Sequence, residues 1–349
     1  MFEIVITSNK DEKLLSQIHT CLGGTLSDTG GGSVLRFDND VGKGVVRNIS
    51  FDGGISLLDC DVTLSKEVTL LFKASDVSPI KFLFISEGTL NYSVGNAEEP
   101  IVFERFQNII VSEERLAKKG YAYAASNRLK LNCIRISRKA YLKKKNNNVN
   151  TLDSKLRRVF TDTKGAKAYL LQGGYNLKIA DEIKKLNEVP HKGMFSTLSI
   201  EGRVYLILAL QLQEHDTFLT EGALPHSLSR QDIKKIHELT DFILTNISRP
   251  ITVEVLANAS GLSAKKLQLG FKMSYSKTVN GYVRELKLKL ARDYLKNTDL
   301  SISEIVYAVG IKSRSYFSKI FFEAYGLLPT DYRKQLKLGK HTNTENQEP

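Results

Sequence analysis

The chain has 349 residues, 50 Lys and Arg against 38 Asp and Glu for a net charge of +12, and 42% hydrophobic residues, which excludes a disordered chain and suggests two domains or three. The opening MFEIVITSNKDEK lacks the basic start and long apolar stretch of a secretory signal, and the most apolar helical run, Val204 to Leu212, is far short of the roughly 20 residues of a bilayer span. Three scattered cysteines (Cys21, Cys60, Cys133) suit neither a disulfide framework nor a zinc cluster, so the expectation is a soluble, cytoplasmic protein with no membrane partner.

Residues 31–136 are rich in short β-type runs separated by turn residues. The clearest are Val45–Ser50, Ile55–Val62, Val68–Phe72, Ile80–Ser86, Thr89–Val94, Gln107–Ser112 and Leu129–Ser137, punctuated by Asp52-Gly53-Gly54, Glu87-Gly88 and Gly95-Asn96. Strands at this spacing predict a small antiparallel barrel or sandwich, cupin-like in outline, whose mouth could hold one small ligand. From Arg115 to Lys145 there are eleven Lys and Arg and no acid, ending in an Asn-rich stretch read as a solvated loop. The period then turns helical, with Leu152, Leu156, Val159 and Phe160, and more loosely Leu177, Ile183 and Leu186. The stretch Ser199 to Gln213 reads as a helix apolar on most sides, which must bury itself in its own domain or against a second copy. Glu221-Gly-Ala-Leu-Pro225 marks a linker.

Beyond the linker the charge concentrates: Leu228 to Leu338 holds nineteen Lys and Arg against ten Asp and Glu. Such a segment is either the footprint of a polyanion partner or a solvated basic face. Ser229 to Asp232 starts a helix bearing Ile233, Ile236, Leu239 and Ile243. Thr252 caps a short helix whose inward face is read as Val255, Leu256 and Ala259; Gly261 turns the chain, and Ser263 caps the next helix, with Leu267 and Phe271 inward. The same grammar returns 49 residues later, from Gly261 to Gly310. Ser301 and Glu304 form a capping box, Ile305, Val306 and Val309 an apolar side, Gly310 the turn, and Ser313 the cap of a helix with Phe317, Ile320 and Phe321 inward. Between the units, Tyr282 to Leu295 forms one linking helix, with Val283, Leu286, Leu290, Ala291 and Tyr294 on its buried side. Two helix-turn-helix units in tandem on the most basic third of the chain point to DNA; the competing readings are a DNA-binding protein without effector and a helical protein-interaction module.

The outward residues are the candidate DNA contacts: Ser263, Ala264, Lys265, Lys266, Gln268 and Lys272 from the first unit, and Lys312, Ser313, Arg314, Ser315, Ser318 and Lys319 from the second. Lys265, Gln268, Arg314 and Ser318 are assigned to base edges, because Arg grips guanine and Gln adenine bidentately. Lys266, Lys272, Lys312 and Lys319 are assigned to phosphates. No enzyme chemistry assembles: six histidines show no paired ligand spacing, with His215 and His226 read as surface or capping residues, and neither Gly42-Lys-Gly44 nor Gly30-Gly31-Gly32 is a nucleotide fingerprint. Neither a cofactor nor a metal is expected.

The segment Leu256-Ala257…Gly261-Leu262-Ser263…Leu267…Phe271-Lys272, with Ile305…Val309-Gly310…Ser315-Tyr316-Phe317-Ser318…Phe321-Phe322…Tyr325-Gly326…Pro329…Tyr332-Arg333, resembles the AraC/XylS-type DNA-binding domain over about residues 229–336. The resemblance implies two helix-turn-helix units in adjacent major grooves of double-stranded DNA, and a bacterial transcription regulator, more often an activator, that works with RNA polymerase. Departures are Ser276 in place of Gly, Lys287 in place of Arg and Phe322 in place of a basic residue, the last two read as reducing positive charge near phosphates. A second set, Lys266-Leu267-Gln268…Gly270-Phe271-Lys272, Thr278-Val279…Gly281-Tyr282 and Glu201 to Leu212, resembles the siderophore-sensing branch, the pyochelin and yersiniabactin regulators. That resemblance implies a ferric siderophore as small-molecule effector. The expected chain is therefore α+β: a β-rich regulatory domain (1–148), a helical extension (149–220) that could form a homodimer surface, a linker (221–228), an all-α DNA-binding domain (229–336) and a disordered tail (337–349).

Overall fold

A computed structural model describes residues 2–28, 32–73, 78–94, 99–114, 119–125, 127–144, 147–189, 193–221, 228–275 and 277–344. The chain forms two compact units, 1–224 and 225–349.

The first unit begins with β1 (Phe2–Ile6) and α1 (Asp11–Leu22), followed by β2 (Thr25–Asp28), β3 (Gly32–Asn39), β4 (Gly42–Phe51), β5 (Ile55–Leu64), β6 (Val68–Phe72) and β7 (Ile80–Glu87). It continues with β8 (Leu90–Val94), β9 (Ile101–Phe103), β10 (Gln107–Ser112), β11 (Lys119–Tyr123), β12 (Arg128–Ile136), α2 (Arg138–Lys143), α3 (Ser154–Thr161), β13 (Tyr169–Tyr175), α4 (Leu177–Asn187) and α5 (Met194–Glu221). Two sheets result, in the orders β1-β6-β11-β8-β9 and β13-β10-β7-β12-β5-β4-β3-β2. Only the β1–β6 pair is parallel among the described ladders.

Among the described residues neither sheet closes on itself, so of the expected barrel or sandwich the closed barrel is excluded, and two open sheets share a core. That core joins Ile4, Ile6, Leu70 and Tyr121 of one sheet to Val62, Leu83, Ile109 and Cys133 of the other. Alternating apolar residues supply it, as a half-buried strand requires.

Three further expectations change here. The stretch expected to be a helical extension contains β13, which pairs antiparallel with β10, because Gly173-Gly174 hides a strand period that Leu171 otherwise carries. The basic run contains β11, whose Tyr121 and Tyr123 point into the core. Helix α5 is buried on one side only: Val204, Ile207, Leu208 and Gln211 face the sheet, and Asn108 Nδ2 donates to the Gln211 carbonyl at 2.9 Å. Met194, Phe195, Leu198 and Leu206 on its other sides are exposed.

The second unit is helical: α6 (Arg230–Thr245), α7 (Val253–Ser260), α8 (Ala264–Tyr275), α9 (Val279–Asn297), α10 (Ile302–Ala308), α11 (Arg314–Tyr325) and α12 (Pro329–Thr344). Helix α12 runs to Thr344, into the stretch expected to be a tail. The linker falls almost wholly on residues outside those described. Among the described residues, no helix is long and apolar enough to cross a membrane.

Candidate nucleic-acid interface

Each reading helix is fixed by its own sequence. Thr252 accepts from Val255 N at 3.2 Å to start α7, and Gly261 ends it in the left-handed region at φ 66°. Ser263 Oγ then accepts from Lys266 N at 3.3 Å, capping α8. In the second unit Ser301 and Glu304 close a reciprocal capping box on α10, and Ser313 Oγ accepts from Tyr316 N at 3.2 Å to start α11. Leu267 and Phe271 of α8, and Phe317, Ile320 and Phe321 of α11, are buried at helical spacing. The opposite faces are thereby turned to solvent.

On α8, Lys265 and Lys272 are exposed, with Gln268 half-buried between them. These positions, three and four apart, share one stripe of the helix. On α11, Arg314 and Ser318 form one such pair and Ser315 and Lys319 the next; all but the half-buried Ser318 are exposed. Ser263 and Ala264, and Lys312 and Ser313, lie exposed at the two helix starts. The side chains of Lys265, Lys272, Lys312, Arg314 and Lys319 make no hydrogen bond or ion pair among the described residues.

Two candidates are already engaged. The Lys266 ammonium pairs with Asp232 at 2.7 Å, and Gln268 Oε1 accepts from Val279 N at 3.3 Å, leaving the Gln268 amide nitrogen as its outward donor. The Lys266 ammonium, and then the Ser229 N–H, hold the Asp232 carboxyl below the usual carboxylate range. Because the folded value is the lower one, this contribution is present above the unfolded value of about 3.9 and is lost as pH falls through the folded value. Asp232→Asn is therefore expected to lower the thermal midpoint of the helical unit at neutral pH. Its gap to the wild type should close in acid, which circular dichroism melts across pH would check.

Several inward residues need correction. Val255 and Ala259, expected to be core, are exposed, and Leu256 alone of that trio is buried, since a helix of eight residues presents one narrow face. On α9 the buried side is Val279, Tyr282, Val283, Leu288, Ala291 and Leu295, with Leu286, Leu290 and Tyr294 half-buried. Lys287 does not lie among surface charges: it is buried and its ammonium donates to the Gly310 carbonyl at 2.8 Å, a burial that lowers its pKa. Phe322 is exposed, and Ser276 lies outside the described residues. Sequence reasoning passed over Arg284, an exposed cation of α9. It borders, with Lys312 and Ser313, a groove of about 340 Å³ at the start of α11. In the sequence it is one of five basic residues on α9, and nothing local sets it apart from Lys289, Arg292 or Lys296.

In the first unit, the apolar cavity lined by Ile4, Phe37, Leu58, Cys60, Leu70 and Tyr123 has a volume of about 50 Å³. Sites for drug-sized ligands measure about 300–1,000 Å³. Burial pushes the Cys133 thiol up to about 11, and Cys60 higher still, so both are apolar packing groups and not nucleophiles. His215, expected at the surface, is fully buried on α5, and His226 lies outside the described residues.

A helix-turn-helix domain family matches residues 256–335. The regulatory protein SoxS of Escherichia coli is 33% identical over 103 residues, which are 30% of this chain and 96% of SoxS. The transcriptional activator RhaR of Klebsiella pneumoniae is 28% identical over 128 residues, 37% of this chain and 44% of RhaR. A crystal structure of an AraC-type transcriptional regulator from Chromobacterium violaceum aligns with 29% identity over 30% of this chain and 92% of its own, at a TM-score of 0.29.

Proposed function

Because the chain belongs to the AraC family of helix-turn-helix, DNA-binding transcription regulators, we propose that it activates bacterial transcription from paired major-groove half-sites under the control of a small-molecule effector. The observation that carries this reading is the pair of capped helices, α8 and α11, each presenting unpartnered cations and short polar side chains opposite a buried aromatic face. Lys265, Gln268, Arg314 and Ser318 read base edges. Lys272, Lys312, Lys319 and Arg284 hold phosphates, with Lys266 contributing less because Asp232 already neutralises it. Ser263 and Ser313 place helix N-termini against the backbone, and Ala264 and Ser315 allow close approach.

Activation requires RNA polymerase as a partner, and the names of the relatives, an activator among them, support that sign of regulation. A homodimer through the exposed Phe195, Leu198 and Leu206 side of α5 would account for apolar residues that burial leaves in water. The effector acts on the sheet-rich unit. A ferric siderophore is its candidate on sequence resemblance, and the 50 Å³ cavity would have to open to admit one.

Two variants test the base and phosphate assignments. Arg314→Ala is expected to cost about 1–3 kcal/mol on the preferred duplex and to relax one base preference, whereas Lys272→Ala should weaken all duplexes alike and reduce the salt slope by about one. Fluorescence anisotropy titrations on matched and single-mismatch duplexes separate the two patterns. Equal losses for Arg314→Ala on every sequence would remove it from base readout.

A further inference from the structure

Near the end of α5 the side chains of His215, Asp216 and Asp153 converge: their nearest nitrogen and carboxylate oxygens all lie within 4.8 Å of one another. His215 Nδ1 stands 3.3 Å from Asp153 Oδ2 and 3.4 Å from Asp216 Oδ1. Both separations are long for charge-assisted N–H···O bonds, which run about 2.7–2.9 Å. One ring N–H, moreover, cannot point at two carboxylates. The two His–Asp distances instead match edges of a coordination tetrahedron, where bonds of about 2.0–2.1 Å set neighbouring ligand atoms about 3.3–3.4 Å apart, and the two carboxylate oxygens, within 4.8 Å, would draw together on an ion.

The surroundings fit a metal ligand set as well. Tyr169 Oη lies 2.8 Å from His215 Nε2, so the nitrogen that would not bind metal has an oxygen partner that fixes the ring's orientation. Asp153 is equally fixed, because its carboxylate caps α3 by accepting from Lys155 N at 2.7 Å and from Leu156 N at 3.3 Å. His215 is fully buried while the Asp216 side chain is 56% exposed, which leaves the cluster a solvent side for entry and for a water ligand.

We propose that His215 Nδ1, Asp153 and Asp216 form a binding site for one divalent transition-metal ion. An imidazole with two carboxylates is a borderline donor set suited to Zn²⁺, Co²⁺ or Mn²⁺, and water completes the coordination. The site ties the last turns of α5 to the start of α3, with β13 supplying the tyrosine. It belongs to the sheet-rich unit and depends on none of the assignments made on the DNA-reading helices.

The test uses the untagged full chain stripped with chelator and titrated calorimetrically with ZnCl₂, and separately with CoCl₂ while the visible spectrum is followed. One Zn²⁺ per chain is expected, with Co²⁺ giving the intense absorption of a tetrahedral site. Asp216→Asn, at an exposed side chain, should weaken binding at least about 10-fold, and Tyr169→Phe about 10–100-fold through loss of the ring's partner. Asp153→Asn keeps a residue able to cap α3, so its loss of affinity would not reflect unfolding. Absence of binding by the wild type, or binding unchanged by both Asp216→Asn and Asp153→Asn, would overturn the site.

Discussion

Lys81→Met is expected to destabilise the sheet-rich unit by about 3–5 kcal/mol, the cost of leaving a buried charge without its partner. Lys81 on β7 and Glu113 just beyond β10 have side chains only 6% and 1% exposed. The ammonium bonds both carboxylate oxygens at 2.9–3.0 Å, and Tyr121 Oη donates to Glu113 Oε1 at 2.6 Å. Phe72 and Tyr121 from the other sheet place their ring centroids 4.4 and 4.7 Å from the ammonium, so the pair links the two sheets inside an aromatic lining. Removing the cation leaves the Glu113 carboxyl buried in that lining without its ammonium partner. The double variant Lys81→Met/Glu113→Leu should recover part of the loss, since an apolar pair of similar volume replaces the ion pair while the Tyr121 hydroxyl loses its acceptor. Hydrogen exchange of the β7, β10 and β11 amides would read both variants, and a single variant that exchanges like the wild type would contradict the desolvated pair.

Gly310→Ala should cost the helical unit about 2–5 kcal/mol, combining the left-handed backbone penalty with overpacking. Gly310 sits at φ 62°, and a β-carbon there would come within 2.3 Å of the Ser248 carbonyl oxygen and 2.6 Å of its carbon. These are backbone atoms of the loop after α6, and the Lys287 ammonium holds the glycine carbonyl from another direction at 2.8 Å. The equivalent turn of the first unit is a built-in control. Gly261 has nearly the same φ, 66°, but the nearest atom to an added β-carbon is the end of the Lys235 side chain at 3.8 Å. Gly261→Ala should therefore cost only the backbone penalty of about 1–2 kcal/mol. Urea midpoints of the two variants would compare them, and equal shifts would contradict the clamp on the second turn.

The helical unit was legible because its signals are local. Caps at Thr252, Ser301 and Ser313 and turns at Gly261 and Gly310 need only a few neighbouring residues to act, and they mark the ends of α7, α8, α10 and α11. Seven strand runs were legible for the same reason, with Val68–Phe72 and Gln107–Ser112 matching their strands end to end. What escaped depends on distant parts of the chain. Strand β13 is made by pairing with β10 across some 60 residues, and its own Gly173-Gly174 weakens any period-two pattern. The sheets stay open because strand order and pairing, which composition does not encode, leave β2, β13, β1 and β9 at edges.

Site chemistry divides along the same line. The outward stripes of α8 and α11 follow from helical periodicity once the buried aromatics are placed. The engagement of Lys266 with Asp232, 34 residues away, does not, nor does the burial of Lys287 under the Gly310 carbonyl. His215 looked like a surface or capping residue because two of the groups around its ring, Asp153 at the cap of α3 and Tyr169 on β13, come from distant parts of the chain.

DNA reading by α8 and α11 is testable by selecting sequences from a random duplex pool with the full chain, repeated from about 50 to 200 mM salt. The expected result is enrichment of two short blocks centred about 10–10.5 base pairs apart on one face of the duplex, with affinity falling steeply as salt rises. Recovery of no enriched sequence even at the lowest salt would contradict DNA reading by α8 and α11.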